Sequence, residues 1–207
     1  MHNILVINSS VTGADSVSRL LVDAVVARLT HQNPAAKVAN RDLGQRPIPH
    51  LTTETLAGVR GEPSTEVERR SRTLSDQLIA ELRTADTIVI GAPMYNFSIP
   101  TGLRAWFDHV LRAGETFSYS EAGPKGLLEG RRAIVVESRG GVYSEGSGPA
   151  LDFQEPYLRQ LLGFIGITDV TFIHAEKIGY GPEARAAAIE AANVRITEVV
   201  MQAALAA

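Results

Sequence analysis

Residues 87–100 read TIVIGAPMYNFSIP, and this stretch decides the fold. Its first half is short, apolar and β-branched, which predicts a strand buried on both faces of a parallel sheet. The second half, residues 92–100, places two aromatic rings, a methionine and an asparagine between two prolines. A loop at a strand end is ordinarily polar, so this composition indicates a flat apolar ligand. Packing of the same side chains into the core is the alternative, because single apolar residues need no ligand to explain them.

The rest of the chain repeats this alternation of short apolar runs and longer helical patterns. Further strands are predicted at residues 3–8, 37–40, 132–137 and 168–173. Helices are predicted at residues 16–32, 65–84, 100–113, 152–163 and from Pro182 onward. The alternation predicts an α/β fold, a doubly wound sheet of five parallel strands with helices on both faces. We expect residues 1–207 to form a single domain.

Local signals refine the boundaries of these elements. Thr65 and Glu68 form a capping-box pair at the start of one helix. Pro100 suits a first-turn position in the next helix. Residues 43–63 are a proline-containing excursion, and residues 114–130 have the pattern of an inserted hairpin.

Composition excludes several classes of protein. The 207-residue chain has no cysteine, so it forms no disulfide, thiolate nucleophile or cysteine-ligated cluster, and redox chemistry would need a bound cofactor. The net charge is −3 with acids and bases interspersed, which argues against a nucleic-acid surface or a polybasic membrane patch. The N-terminus lacks the pattern of a secretory signal, and no apolar run reaches the ~18 residues of a membrane span. We therefore expect a cytoplasmic protein with no nucleic-acid or membrane partner.

Loop 1, residues 8–18, follows the first predicted strand and leads into a helix. Free backbone N–H groups at a helix start attract phosphate, and Ser10, Ser16 and Ser18 would add hydroxyl donors. The alternative is that these serines only cap the helix. The loop contains neither G-x-G-x-x-G nor G-x-x-x-x-G-K-[ST], which argues against a Rossmann dinucleotide site and removes a P-loop. The role of Asp15 beside a phosphate stays open.

Loop 2, residues 92–100, and loop 3, residues 138–148, follow the third and fourth predicted strands. Gly140 and Gly141 in loop 3 permit positive φ and a close approach of the backbone to a ligand, with a flexible loop as the alternative. In a doubly wound sheet, ligands bind beyond the carboxyl ends of the strands. The three loops would thus supply a phosphate cradle, an aromatic wall and backbone donors, a combination that matches FMN.

The sequence at this point resembles the FMN-dependent NADH-azoreductases, also described as FMN-dependent NADH:quinone oxidoreductases. The most specific motif is Ala92-Pro93-Met94-Tyr95-Asn96-Phe97. Further matching motifs are Leu103, Trp106-Phe107-Asp108, Arg112-Ala113-Gly114, Thr116-Phe117, Gly123-Pro124, Gly126-Leu127, Ser138 to Gly141, and residues 163–167. The resemblance covers essentially the whole chain. It implies a flavodoxin-like fold and a homodimer with two active sites near the interface.

The resemblance also implies site residues by motif position. The FMN phosphate would be held by Ser10, Ser16, Val17 and Ser18. The isoalloxazine ring would be held by Met94, Tyr95, Asn96, Phe97, Ser138, Arg139, Gly140 and Gly141. Walls on the acceptor side would come from Phe117, Tyr119 and Phe164, with core or dimer packing as the alternative. No side chain is assigned as a nucleophile or proton donor, and no metal site is expected, since no histidines are paired at metal-ligand spacing.

The implied activity is a two-step exchange through one FMN per chain. NADH would give hydride to flavin N5 and leave, and a quinone or azo compound would take its place, which is a ping-pong scheme. Backbone donors at Gly140 and Gly141 would stabilise the negative charge that reduction places on the flavin. The alternatives are a flavodoxin-type electron carrier, another NAD(P)H-dependent FMN reductase, and a flavin-free binding module. The net charge of −3 and the two excursions favour an enzyme with a substrate pocket.

Overall fold

The computed structural model describes residues 2–205. Its strands are β1 (Asn3–Asn8), β2 (Lys37–Asp42), β3 (Thr87–Pro93), β4 (Phe117–Ser120), β5 (Gly123–Gly126), β6 (Arg132–Ser138) and β7 (Asp169–Ala175). Five of them form one parallel sheet in the order β2-β1-β3-β6-β7, which confirms the predicted doubly wound sheet. The remaining pair, β4 and β5, forms the antiparallel hairpin expected within residues 114–130.

The helices are α1 (Val17–Gln32), α2 (Leu56–Arg60), α3 (Glu66–Thr84), α4 (Thr101–Val110), α5 (Glu155–Phe164) and α6 (Pro182–Leu205). The short α2 lies in the proline-containing excursion between β2 and α3. Short 3-10 turns occupy residues 13–15 and 148–151. Within residues 2–205, no helix is long and apolar enough to cross a membrane.

The sheet is buried on both faces because successive strand residues point to opposite sides. In β1, Leu5 and Ile7 pack with α3, α4 and α5, whereas Ile4 and Val6 pack with α1 and α6. All four side chains are at most 2% exposed. Full burial of such a side chain contributes roughly 1.5–3 kcal/mol, so these two apolar clusters hold the helices against the sheet.

Local chemistry explains where the helices begin. The predicted capping box is confirmed, since Thr65 accepts the N–H of Glu68 and the Glu68 carboxylate accepts the N–H of Thr65. The prediction for Pro100 was wrong by one residue, because its ψ of 144° is extended and α4 begins at the next residue. The predicted helix start at residue 152 was also wrong. The Asp152 carboxylate accepts the N–H groups of Gln154 and of Glu155, the first residue of α5. Asp152 itself therefore lies before the helix.

The direction of each element decides which loops can share a ligand. Loops 1, 2 and 3 follow the carboxyl ends of β1, β3 and β6, which are neighbours in the sheet. Helix α4 runs back from loop 2 to the amino end of the sheet. The β4–β5 hairpin, which connects α4 to β6 in the chain, lies at that end. At about 3.3 Å per residue, a seven-residue strand places this hairpin roughly 20 Å from the three loops.

Candidate functional site

Direct contacts join the three loops. The Tyr95 hydroxyl lies 3.4 Å from Oγ of Ser10 and accepts a hydrogen bond from the N–H of Val11 at 3.3 Å. The N–H of Met94 donates to the carbonyl of Ser138 at 2.9 Å. Loop 2 is therefore tied to loop 1 on one side and to loop 3 on the other.

Loop 2 turns through a strained two-residue segment. Tyr95 and Ser98 exchange backbone hydrogen bonds of 2.9 and 3.1 Å, and the two residues between them, Asn96 and Phe97, have φ values of 48° and 70°. Positive φ at residues other than glycine is costly and is concentrated at functional sites. None of the four residues 94–97 is buried, and Phe97 is 48% exposed, so the core-packing alternative does not hold for them.

Loop 1 combines a helix cap with free backbone donors. Oγ of Ser16 accepts the N–H of Arg19 at 3.2 Å and lies 3.2 Å from Oγ of Ser18, so the capping interpretation is right for Ser16. Within residues 2–205, the N–H groups of Val17 and Ser18 have no acceptor, as expected for the first turn of a helix. Such groups favour an anion. Asp15 is exposed on the short turn before the helix.

Loop 3 presents its backbone to open space. Within the described chain, neither Gly140 nor Gly141 donates its N–H, whereas their carbonyls accept from Gly179 and Lys177. Neither glycine has a positive φ, so the backbone conformation does not require glycine at these two positions. A Cβ built on Gly140 would meet no atom within 4 Å, and one on Gly141 would contact the ring of Tyr143 at 3.4 Å. The absence of a side chain at Gly140 thus leaves room beside two free donors.

Arg139 is buried beneath loop 3 rather than directed at a ligand. Its side chain is 1% exposed and its guanidinium lies 2.5 Å from Glu137, 2.9 Å from Asp152 and 3.2 Å from Glu176. Its backbone N–H and carbonyl are both paired with other main-chain groups. The polar groups of Arg139 are therefore committed to protein atoms, which differs from the predicted contact with the flavin ring.

A titratable cluster continues from Arg139 along the sheet. His174 lies 3.1 Å from Glu137 and 2.9 Å from Glu155. Burial alone would lower the pKa of His174, but its hydrogen bonds to the carboxylates of Glu137 and Glu155 outweigh this effect and raise the pKa to about 9. The hydrogen bond to His174 is the main reason that the pKa of Glu155 falls to about 2, whereas burial raises the pKa of Glu137.

Sequence reasoning missed this cluster, although one signal was present. The three residues lie far apart along the chain, but Glu137 and His174 occupy paired positions in β6 and β7. Their ligand-type atoms and those of Glu155 lie within 4.8 Å of one another, a spacing that a metal ion could also use. The guanidinium of Arg139 and the protonated imidazole of His174 pair with the carboxylates there, so an ion-pair network accounts for the cluster.

The predicted acceptor-side aromatics lie elsewhere. Phe117 is 6% exposed, and its ring centroid lies 4.6 Å from that of Phe164 and 5.4 Å from that of Tyr119. Tyr119 is 73% exposed. All three belong to the amino end of the sheet, so one chain does not bring them together with loops 1, 2 and 3.

The groups at the three loops fit FMN. The free N–H groups and serine hydroxyls at the start of α1 suit a phosphate monoester. The exposed Phe97 and the half-buried Tyr95 suit a flat aromatic ring, and the open space at Gly140 admits its polar edge. No side chain in this set is a nucleophile with an adjacent base, so the chemistry that the site can support is that of a bound cofactor.

Comparisons with known proteins agree with this assignment. The profile of the flavodoxin-like fold matches residues 2–200. An FMN-dependent NADH:quinone oxidoreductase from Hyphomonas neptunium is 64% identical over 199 residues, covering 96% of each chain. FMN-dependent NADH:quinone oxidoreductase 3 from Pseudomonas aeruginosa is 50% identical over 201 residues, covering 96% of this chain and 92% of that protein.

A solved structure gives the same result in three dimensions. The crystal structure of azoreductase from Bacillus anthracis strain Sterne is 28% identical and has a TM-score of 0.88, covering 97% of this chain and 99% of that chain. The match in both sequence and structure extends across the strands and loops that build the site. The chain therefore belongs to the family of FMN-dependent NADH:quinone oxidoreductases, built on the flavodoxin-like fold.

Proposed function

We propose that this protein binds one FMN per chain at loops 1, 2 and 3 and uses NADH to reduce quinones and aromatic azo compounds. One observation carries the proposal. In the part of the chain that the structure describes, two pairs of backbone N–H groups have no acceptor, at Val17 and Ser18 and at Gly140 and Gly141, and they lie on loops that Tyr95 and Met94 connect by hydrogen bonds. The activities named for the relatives from Hyphomonas neptunium and Bacillus anthracis support the choice of substrates.

Each loop has a separate task in this proposal. The N–H groups of Val17 and Ser18, at the positive end of the α1 dipole, hold the phosphate together with the hydroxyls of Ser10, Ser16 and Ser18. Loop 2 packs Tyr95 and Phe97 along the ring. Its strained turn fixes their positions before the ligand arrives, which reduces the ordering cost of binding.

Loop 3 supplies electrostatic stabilisation. When bound, FMN accepts hydride from NADH and passes the electrons to the acceptor. The N–H groups of Gly140 and Gly141 are preorganised donors, so they stabilise negative charge on the ring edge without reorganisation. Because one open face serves the nicotinamide and then the acceptor, we propose ping-pong kinetics. Arg139, with its polar groups already committed, has no direct role in this exchange.

The position of the hairpin supports a homodimer. Phe117, Tyr119 and Phe164 can serve as acceptor-side walls only if a second copy places its hairpin against the loops of the first, because one chain keeps them roughly 20 Å apart. The exposed rings of Tyr119 at the hairpin and of Phe97 and Phe153 near the loops are the kind of surface that a partner covers. We further propose that residues 1–207 act as one domain in the cytoplasm.

The test begins with the purified protein and its bound flavin. We expect a yellow protein with one noncovalent FMN per chain, which NADH reduces in the absence of oxygen and quinones or azo dyes reoxidise. Initial rates over a grid of NADH and quinone concentrations should give parallel double-reciprocal lines. A colourless protein that ignores added FMN would support the flavin-free module, and slow reduction by NADH would support an electron carrier.

A further inference from the structure

The buried guanidinium of Arg139 connects three segments of the chain. Besides its three carboxylate partners, its Nε donates to Oε1 of Gln154 at 3.3 Å. Glu137 belongs to β6, Asp152 and Gln154 precede α5, and Glu176 follows β7. One side chain thus holds together elements that meet beneath loops 2 and 3.

Two of these partners, Glu176 and Gln154, also form hydrogen bonds with loops 3 and 2. One Glu176 oxygen accepts the N–H of Tyr143 at 2.9 Å, and the other accepts the hydroxyl of Ser144 at 2.6 Å, both within loop 3. The Gln154 amide donates to the carbonyl of Ala92 at 2.8 Å, at the start of loop 2. The guanidinium therefore lies at the junction of the two loops that would face the ring.

The burial of Arg139 makes this arrangement sensitive to the loss of one hydrogen-bond partner. Burial opposes the charged form of Arg139, but Glu137 and Asp152 outweigh it and raise the arginine pKa. Removing the Glu176 carboxylate leaves an N–H group at Nη1 of Arg139 without its acceptor, and a buried donor without an acceptor favours rearrangement of the groups around it. Without the Glu176 carboxylate, the N–H of Tyr143 and the hydroxyl of Ser144 also lose their acceptors.

We propose that Arg139 and Glu176 are positioning residues that hold loop 3 with the N–H groups of Gly140 and Gly141 free for FMN, and that they thereby set FMN affinity and flavin potential. The proposal rests on the proposed FMN site. Neither side chain touches the cofactor in this scheme. Each acts through the loop backbone, whose donors favour the reduced, more negative flavin.

The experiment compares Glu176→Leu with Glu145→Leu. Glu145 lies on the exposed part of loop 3 and is 3.8 Å from Lys177, so this control makes the same chemical change without touching the network. The apo proteins are titrated with FMN, and the midpoint potential of the bound flavin is measured. We expect the Kd of Glu176→Leu for FMN to rise by about tenfold or more and its potential to become more negative. The control should match wild type in both measurements.

Two further variants separate positioning from simple stability. Glu176→Gln keeps an oxygen for the N–H of Tyr143 and should recover much of the affinity and potential. Arg139→Lys keeps the positive charge but replaces the several N–H donors of the guanidinium with one ammonium group. Its Kd for FMN and its flavin potential should therefore resemble those of Glu176→Leu. A Glu176→Leu protein with lower thermal stability but wild-type Kd and potential would overturn the proposal. Failure of wild type to bind FMN would instead overturn the proposed function.

Discussion

The hydroxyl of Tyr95 lies 3.4 Å from Oγ of Ser10, although the two residues are 85 positions apart in the chain. The same hydroxyl accepts the N–H of Val11. A side chain from the proposed ring site is therefore bound to the loop that would carry the phosphate. The Tyr95 side chain thus connects the ring end of the proposed FMN site to its phosphate end.

Tyr95→Phe should weaken FMN binding mainly at the phosphate end, because it removes both contacts with loop 1 while it keeps the aromatic ring. A hydrogen bond contributes about 0.5–1.5 kcal/mol, which corresponds to roughly a two- to tenfold rise in Kd. Titration with FMN and with riboflavin, which lacks the phosphate, measures the effect. Tyr180→Phe, at an exposed tyrosine, is the matched control. An equal loss of affinity for both flavins would contradict the expected location.

Gly140→Val should leave the apo protein nearly as stable as wild type and sharply reduce FMN affinity. The backbone at Gly140 is not in the positive-φ region, and a Cβ there meets no protein atom within 4 Å, so the substitution causes no local strain. Thermal melts with and without FMN provide the measurement. Ser147→Val, at an exposed position farther along loop 3, should keep the full stabilisation by FMN. The same stabilisation in Gly140→Val would remove this turn from the binding site.

Mixed dimers should reveal whether the hairpin acts on the partner's loops. Neither Gly140→Val, with a damaged FMN site, nor Tyr119→Ser, with a damaged hairpin, should be fully active alone. After subunit exchange at equal amounts, half the dimers are mixed and each has one intact site, so about one quarter of wild-type activity should appear. The measurement is quinone reduction before and after exchange. Activity equal to the average of the unmixed variants would indicate that the hairpin has no role in trans.

His174 should make stability depend on alkaline pH. Its folded pKa of about 9 lies above the ordinary value of 6.5, so its stabilising contribution is complete below pH 6.5 and is lost as pH rises through 9. Urea unfolding at several pH values should give a difference between wild type and His174→Gln that shrinks over this range. His31→Gln, at an exposed histidine, should follow wild type throughout. A constant difference would show that the imidazole is not charged in the folded protein.

Local patterns predicted much of the fold, but the site depends on contacts between distant segments. The strands follow from local hydrophobic patterns, and the capping box follows from Thr65 and Glu68, which are three residues apart. Both signals lie within a few consecutive residues of the sequence. The positive φ of Phe97 carries no such signal, because a bulky residue rarely adopts this conformation. The commitment of Arg139 to carboxylates at positions 137, 152 and 176 likewise needs the strand order, which brings these positions together.

The pairing of Glu137 with His174 also bears on how the sheet forms. In a parallel pair, a shift of one residue turns every side chain of the moved strand to the opposite face. Such a slip of β7 would remove His174 from Glu137 and bring Ile173 or Ala175 opposite the buried carboxylate. The fully buried Glu137 carboxylate would keep its ion pair with Arg139 but lose the one with His174, which is unfavourable for a buried charge. The Glu137–His174 pair therefore favours the native alignment of β6 and β7 over alignments shifted by one residue, because it forms only when these two positions lie opposite each other.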